Sequence, residues 1–148
     1  NIDSILKIGS LNDENSTTNK KQIKTFLQKD SEFKIILVTY TSCYKVKNIS
    51  DKLNFKFDFK IADECHHLVA KNLNQDKKYV NFHSINSKKS LYMTATEKII
   101  EDFGNFKGYT MEDENIFGSI IDKKSILDSI KFYGDCLYSK YLYSLIKK

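Results

Sequence analysis

Phe59-Lys60-Ile61-Ala62-Asp63-Glu64-Cys65-His66-His67 reads as a β-strand that ends on two adjacent acids. Open α/β sheets bind ligands in the crevice beyond the carboxyl ends of their strands, so Asp63 and Glu64 stand where a ligand would sit. Two neighbouring carboxylates repel each other unless a cation neutralises them. Mg²⁺ carrying nucleotide phosphates suits such a pair, because it takes few protein carboxylates and keeps waters and phosphate oxygens in its other positions. On that reading Asp63 holds the Mg²⁺ directly or through water, and Glu64 orients and deprotonates the water that attacks the γ-phosphate. The plainer reading is that the acids merely open a helix, where the positive end of the dipole favours them.

Further along, Ser90-Leu91-Tyr92-Met93 reads as a second buried strand running into Thr94-Ala95-Thr96. In order and separation, Asp63-Glu64-Cys65-His66 resembles motif II of the superfamily 2 helicases, the DEAD/DEAH group, in a DECH form. Thr94-Ala95-Thr96 resembles their motif III. The resemblance implies ATP and Mg²⁺ as cofactors, with Asp63 as the Mg²⁺ residue and Asp63, Glu64 and His66 in hydrolysis. It also implies that His66 and the hydroxyls of Thr94 and Thr96, flanking Ala95, couple the nucleotide site to DNA or RNA and to a second RecA-like domain.

The chain of 148 residues is long enough for one domain with a proper core, one that buries about 68–70% of its unfolded surface. With 41% hydrophobic and 29% charged residues the composition is ordinary for a globular protein. Every basic residue is lysine, and there is no arginine, so the chain supplies no arginine finger to a transition state. The net charge of +5 suits a polyanionic partner without demonstrating one. No apolar run has the length of a membrane span and the first residues lack a secretory layout, so no membrane partner and an intracellular location are expected. Cys43, Cys65 and Cys136, odd in number and widely spaced, argue against a disulfide framework.

In chain order, Ser4 to Gly9 reads as a short strand and Ser10 to Thr18 as a polar loop. Asn19 with Gln22 resembles a capping box, and Ile23, Phe26 and Leu27 form the apolar stripe of a helix reaching Lys29. Ile35-Ile36-Leu37-Val38 is an unbroken apolar run, as in a parallel strand covered on both faces, and completes a βαβ unit. It ends in Thr39-Tyr40-Thr41-Ser42, which resembles the helicase element whose hydroxyls and amides hold nucleic-acid phosphates. The alternative is that Thr41 or Ser42 simply caps the following helix. Leu68 to Ala70 fits a short helix, Lys71 to Lys78 a lysine-rich loop, His83 a surface or packing histidine, and Glu97 to Phe103 a helix. Tyr109 to Gly118 resembles the segment after motif III in the restriction-enzyme-like branch of superfamily 2. Asp122 to Ile130 reads as a helix with Ile126, Leu127 and Ile130 inward.

None of the five glycines belongs to a Gly-x4-Gly-Lys-Ser/Thr phosphate loop, motif I of the family. The resemblance therefore implies an α/β fold: a RecA-like (P-loop NTPase) parallel sheet flanked by helices, truncated on its N-terminal side. Residues 1–132 form the partial ATP-binding domain, and 133–148 are an unassigned tail or the start of a link to the second domain. The expected function is that of a fragment of an ATP-dependent helicase or translocase, inactive alone. The alternative is a non-catalytic nucleic-acid-binding or interaction module derived from such a domain. A zinc site at Cys65-His66-His67 is the chemical rival, but consecutive ligands do not converge on one tetrahedral ion.

Overall fold

The computed structural model describes residues 4–9, 16–70, 80–100, 108–125 and 128. The chain divides into two compact units, Asn1–Phe117 and Gly118–Lys148.

The first unit carries the α/β organisation. Strand β1 (Ile5–Ile8) pairs in parallel with β2 (Ser16–Thr17) and with β3 (Ile35–Val38), from Ile5 opposite Ile35 to Ile8 opposite Val38. Strand β4 (Phe57–Ala62) pairs in parallel with β5 (Ser87–Tyr92), with Ala62 opposite Tyr92. Among the described residues every strand pair is parallel, and helix α1 (Lys20–Gln28) lies between β1 and β3 in the chain, so the expected βαβ unit and α/β class are present. Ser16–Thr17, expected as loop, is strand because Lys7 and Ile8 pair with it.

Helix α1 starts where Asn19 Oδ1 accepts from the Lys21 amide at 2.9 Å, not from Gln22 as a capping box requires. Gln22 instead bonds the Thr17 hydroxyl, which accepts from the Asn19 amide. The apolar stripe buries Ile23 and Leu27, while Phe26 stays half-buried. Helix α2 (Cys43–Lys52) packs against α1 and buries Cys43, Val46 and Ile49. These side chains share one core with Ile8, Ala62, Cys65, Leu68, Val69, Phe82, Ile85 and Phe117.

The strands are covered less fully than their composition suggests. Ile35 is 42% and Leu37 53% exposed on β3, and Phe59 is 49% and Ile61 52% exposed on β4. Alternation along β3 buries one face better than the other, so the apolar run is half-covered rather than covered on both faces. On β5, residues Lys88 to Ser90 are exposed, because among the described residues β5 pairs only with β4.

Lys60 ties β4 to the turn that follows it in space. Its Nζ donates to the carbonyls of Phe82, His83 and Ile85 at 3.0–3.1 Å and lies over the Phe82 ring, and burial lowers its pKa. His83 is a packing residue, its ring against Tyr92, Tyr109 and Phe117. Its Nε2 lies 3.4 Å from the Leu68 carbonyl, which only accepts, so Nε2 carries the proton and Nδ1 accepts from the Tyr92 hydroxyl at 3.1 Å. Burial pushes His83 down to about 4 from 6.5.

The consequence is a pH-dependent stability. Between pH 6.5 and about 4 the unfolded chain binds a proton at His83 that the folded chain refuses, so stability is present above 6.5 and is lost as pH falls. The full loss is roughly 3 kcal/mol. Urea unfolding at neutral and mildly acid pH should show this loss in the native chain and a smaller one in His83→Gln. Equal losses in both would remove His83 as the cause.

The remaining elements depart from the sequence pattern at particular places. Cys65–Leu68 is a short 3₁₀ helix, whereas Val69 is extended and Ala70 pairs antiparallel with Tyr109. Residues 97–100 are not helical: the Lys98 amide is bonded to Met111 Sδ and the Ile100 amide to Thr110 Oγ1. Those donors are taken by side chains distant in sequence, which leaves no i to i−4 ladder. Helix α3 (Glu114–Phe117) buries Phe117.

In the second unit, residues 118–125 are irregular, including 122–125 of the helix expected from Asp122. Ser125 and Asp128 exchange the reciprocal bonds of a capping box. Ile126, Leu127 and Ile130, the loop Lys71 to Lys78, residues 101–103 and the tail 133–148 lie outside the described residues. Among the described residues no helix is long and apolar enough to cross a membrane.

Candidate functional site

The parallel register of β4 and β5 brings their carboxyl ends together. Beyond the last paired residues the Met93 amide donates to the Ala62 carbonyl at 2.8 Å, and the Cys65 amide donates to the Met93 carbonyl at 2.9 Å. Asp63-Glu64 is thereby laid beside Thr94-Ala95-Thr96.

The two acids make different contacts. Asp63 Oδ1 accepts from the Glu64 amide at 3.0 Å, and Glu64 adopts a left-handed backbone with φ 51° and ψ 46°. That region is sparsely populated by residues other than glycine and costs on the order of 1 kcal/mol or more, so it persists only where neighbours enforce it. Both carboxylates are exposed. Glu64 stands at the N-cap position of the 3₁₀ helix that follows and makes no side-chain cap bond there.

His66 links the two turns. Its Nδ1 lies 2.9 Å from Thr94 Oγ1 and 3.3 Å from Glu64 Oε2. Thr94 Oγ1 donates to the Thr96 carbonyl at 3.1 Å and accepts from the Thr96 amide at 3.1 Å. A hydroxyl has one proton, and Thr94 spends it on Thr96, so His66 must donate from Nδ1. That fixes Nδ1 as the protonated nitrogen. Glu64 accepts a share of the same N–H. Ala95 is exposed at the tip, and Thr96 joins through its backbone rather than its hydroxyl.

Thr39, Tyr40, Thr41 and Ser42 occupy the carboxyl end of β3. The Thr39 amide donates to the Ile8 carbonyl at 3.1 Å, and its side chain lies so near Gly9 that a Cβ there would stand 2.8 Å from it. Only glycine fits. Tyr40–Ser42 forms one 3₁₀ turn, closed by the Ser42 amide on the Thr39 carbonyl at 2.8 Å. Thr39 Oγ1 and Thr41 Oγ1 face each other at 3.2 Å. Ser42, at the N-cap of α2, makes no side-chain cap bond, and the contact Thr41 Oγ1 makes is with Thr39 Oγ1.

Tyr40 turns away from that pair. Its ring meets Phe82 edge-on with centroids 5.9 Å apart, and its hydroxyl donates to the Asp63 carbonyl. Sequence placed Tyr40 among phosphate contacts, but no local pattern announced a bond to a residue 23 positions away. Burial is the main cause that raises its pKa well above the ordinary tyrosine value, so it stays a neutral donor.

This geometry can be set beside known proteins. The model of the family described as type III restriction enzyme, res subunit, matches residues 3–99. The chain belongs to that family. The res-subunit match spans both motif-like turns and the Thr39–Ser42 element. A solved structure, a nuclease-deletion mutant of the type ISP restriction-modification enzyme LlaGI in complex with a DNA substrate mimic, superposes with a TM-score of 0.64 at 19% identity. The superposition covers 88% of this chain and 11% of that one, so the likeness is one of fold and spans a small part of the larger enzyme. A comparison with curated proteins found no match. Res-subunit membership supports a helicase-like domain and, with the parallel strands, the α/β fold expected.

The donor set separates two metal readings. Among the described residues no three His, Cys, Asp or Glu side chains are grouped to hold a metal ion. Cys65 is buried while His67 is exposed, so the zinc rival has no converging ligands. Mg²⁺ asks less of the protein, and an exposed carboxylate at a strand end fits its habit of taking few protein ligands beside phosphate oxygens.

Proposed function

We propose that this chain is part of the first motor domain of an ATP-driven nucleic-acid helicase or translocase. One observation carries the reading: His66 joins Glu64 and Thr94 at the paired carboxyl ends of two parallel strands. In this reading the DECH run Asp63-Glu64-Cys65-His66 is the hydrolytic motif. Asp63 would hold Mg²⁺, which supplies charge neutralisation to the phosphates of ATP when bound. Glu64 orients and deprotonates the attacking water, while its Oε2 rests 3.3 Å from His66 Nδ1. His66 holds Glu64 and Thr94 in one hydrogen-bonded unit, and Thr94 fixes the turn at Ala95 and Thr96. A change at either turn is thus felt at the other. Because the 148 residues include no Gly-x4-Gly-Lys-Ser/Thr loop, the phosphate cradle and the second RecA-like domain are supplied by residues beyond this sequence.

Thr39 and Thr41 present adjacent hydroxyls for a nucleic-acid phosphate, with lysines supplying the electrostatic attraction. DNA is favoured over RNA, since the enzyme of similar fold was solved with a DNA substrate mimic. Binding by the 148-residue chain to a fluorescent DNA duplex should be tight at low salt, indifferent to sequence and weaker as salt rises, by about 0.9 in log affinity per log salt for each phosphate neutralised. No binding at low salt would defeat the nucleic-acid part of the reading. The missing phosphate loop also supports a second reading, a non-catalytic module that binds nucleic acid alone. Binding without any nucleotide-linked change, in the longest natural protein that carries these residues, would select it.

A further inference from the structure

The hydroxyl pair Thr39 and Thr41 flanks Tyr40 in one 3₁₀ turn, and Tyr40 is bonded not to that pair but to the backbone of Asp63. We propose that Tyr40 is a positioning residue that transmits occupancy of the Thr39–Thr41 hydroxyls to the Asp63-Glu64 turn. The proposal rests on the nucleic-acid reading above and adds a route from that contact to the acids distinct from the His66–Thr94 link.

Glu64 is the residue under strain. Its left-handed backbone lies above the relaxed state and needs an external hold, and the residue before it is the one whose carbonyl Tyr40 grips. The Tyr40 hydroxyl is therefore placed where a small displacement changes how firmly the turn is held. Its ring, edge-on to Phe82, restricts it to moving with the 3₁₀ turn rather than independently.

The other end of the lever is the hydroxyl pair. Thr39 and Thr41 bond each other through their hydroxyls at 3.2 Å. A phosphate oxygen accepts from both hydroxyls at once, which replaces one mutual bond by two to a common acceptor and stiffens the turn between them. Thr39 is anchored against Gly9 and Ile8, so stiffening has a fixed point. The motion left to Tyr40 shrinks, and the Asp63 carbonyl is held more steadily. By linkage, whatever steadies the Asp63-Glu64 turn from the nucleotide side favours nucleic-acid binding to the same degree.

The test uses amide hydrogen exchange in the 148-residue chain, free and saturated with a short mixed-sequence DNA duplex. The reporters are the amides of Glu64, bonded to Asp63 Oδ1, and Cys65, bonded to the Met93 carbonyl. Saturating duplex should slow their exchange by about five-fold, the worth of roughly one hydrogen bond of added local stability. In Tyr40→Phe, which keeps the ring on Phe82 and removes only the hydroxyl, free and bound chains should exchange alike at both amides. A merely structural tyrosine would give faster exchange in both states with the DNA-induced ratio intact, and that result overturns the proposal. Wild-type chain that binds duplex without slowing Glu64 and Cys65 overturns it as well, whether or not Tyr40→Phe folds. If the duplex does not bind at low salt, the nucleic-acid reading fails first and the relay falls with it.

Discussion

On the proposed function, Glu64→Gln in the longest natural protein that carries these residues is expected to lower ATP hydrolysis by about 10²–10⁴-fold, the usual worth of a positioned general base, while leaving ATP affinity nearly unchanged. Glutamine has the same length and reaches His66 with the same geometry, so the link from His66 to Thr94 persists. It cannot accept a proton from water. The backbone cost of the left-handed conformation is equal for the two side chains, so the substitution isolates proton transfer from positioning. Turnover by single-cycle hydrolysis, with affinity from a fluorescent nucleotide, separates the two quantities. Hydrolysis at the native rate would remove Glu64 from the chemistry and leave its contact with His66 Nδ1 as a structural one.

Leu68→Ala should cost about 2–5 kcal/mol of folding stability, a large share of the roughly 5–15 kcal/mol that domains possess. Leu68 is fully buried and closes the 3₁₀ helix that carries Cys65 and His66. Its carbonyl receives the His83 Nε2 proton, so the same residue anchors the strand-end turn to the aromatic cluster of Tyr92, Tyr109 and Phe117. Truncation leaves a void in the shared core, whose lining relaxes only partly into it. Urea unfolding measures the loss through the midpoint at constant slope. A loss below about 1 kcal/mol would mean that the turn collapses onto the space and that the core beneath the site is softer than its burial suggests.

Much of this arrangement was readable from residues alone, and the limits of that reading have identifiable causes. The run Ile35–Val38 announces a parallel strand, and the apolar spacing of Ile23 and Leu27 announces the helix before it, because both patterns are local. What covers Ile35 and Leu37 is a question about other elements, and composition alone overstated it. Ser16–Thr17 carries no apolar signal, since two polar residues become a strand only when Lys7 and Ile8 lie alongside. Glu97 to Ile100 looks helical by spacing, yet Met111 and Thr110 claim its amides from another part of the chain. The bond from Tyr40 to the Asp63 carbonyl has no local signal, because a phenol's partner depends on a turn and on Phe82, neither of which spacing encodes.

The half-covered strands have a practical consequence for any study of this chain. Exposed Phe33, Ile35, Leu37, Phe59 and Ile61 are adhesive surfaces, and the lysine-derived net charge of +5 keeps copies apart only while it is unscreened. Added salt shortens the reach of that repulsion to about 10 Å at 0.1 M, while sulfate or phosphate also strengthens apolar contact. A high-salt wash therefore drives the protein toward precipitation, and purification in dilute chloride is the safer course.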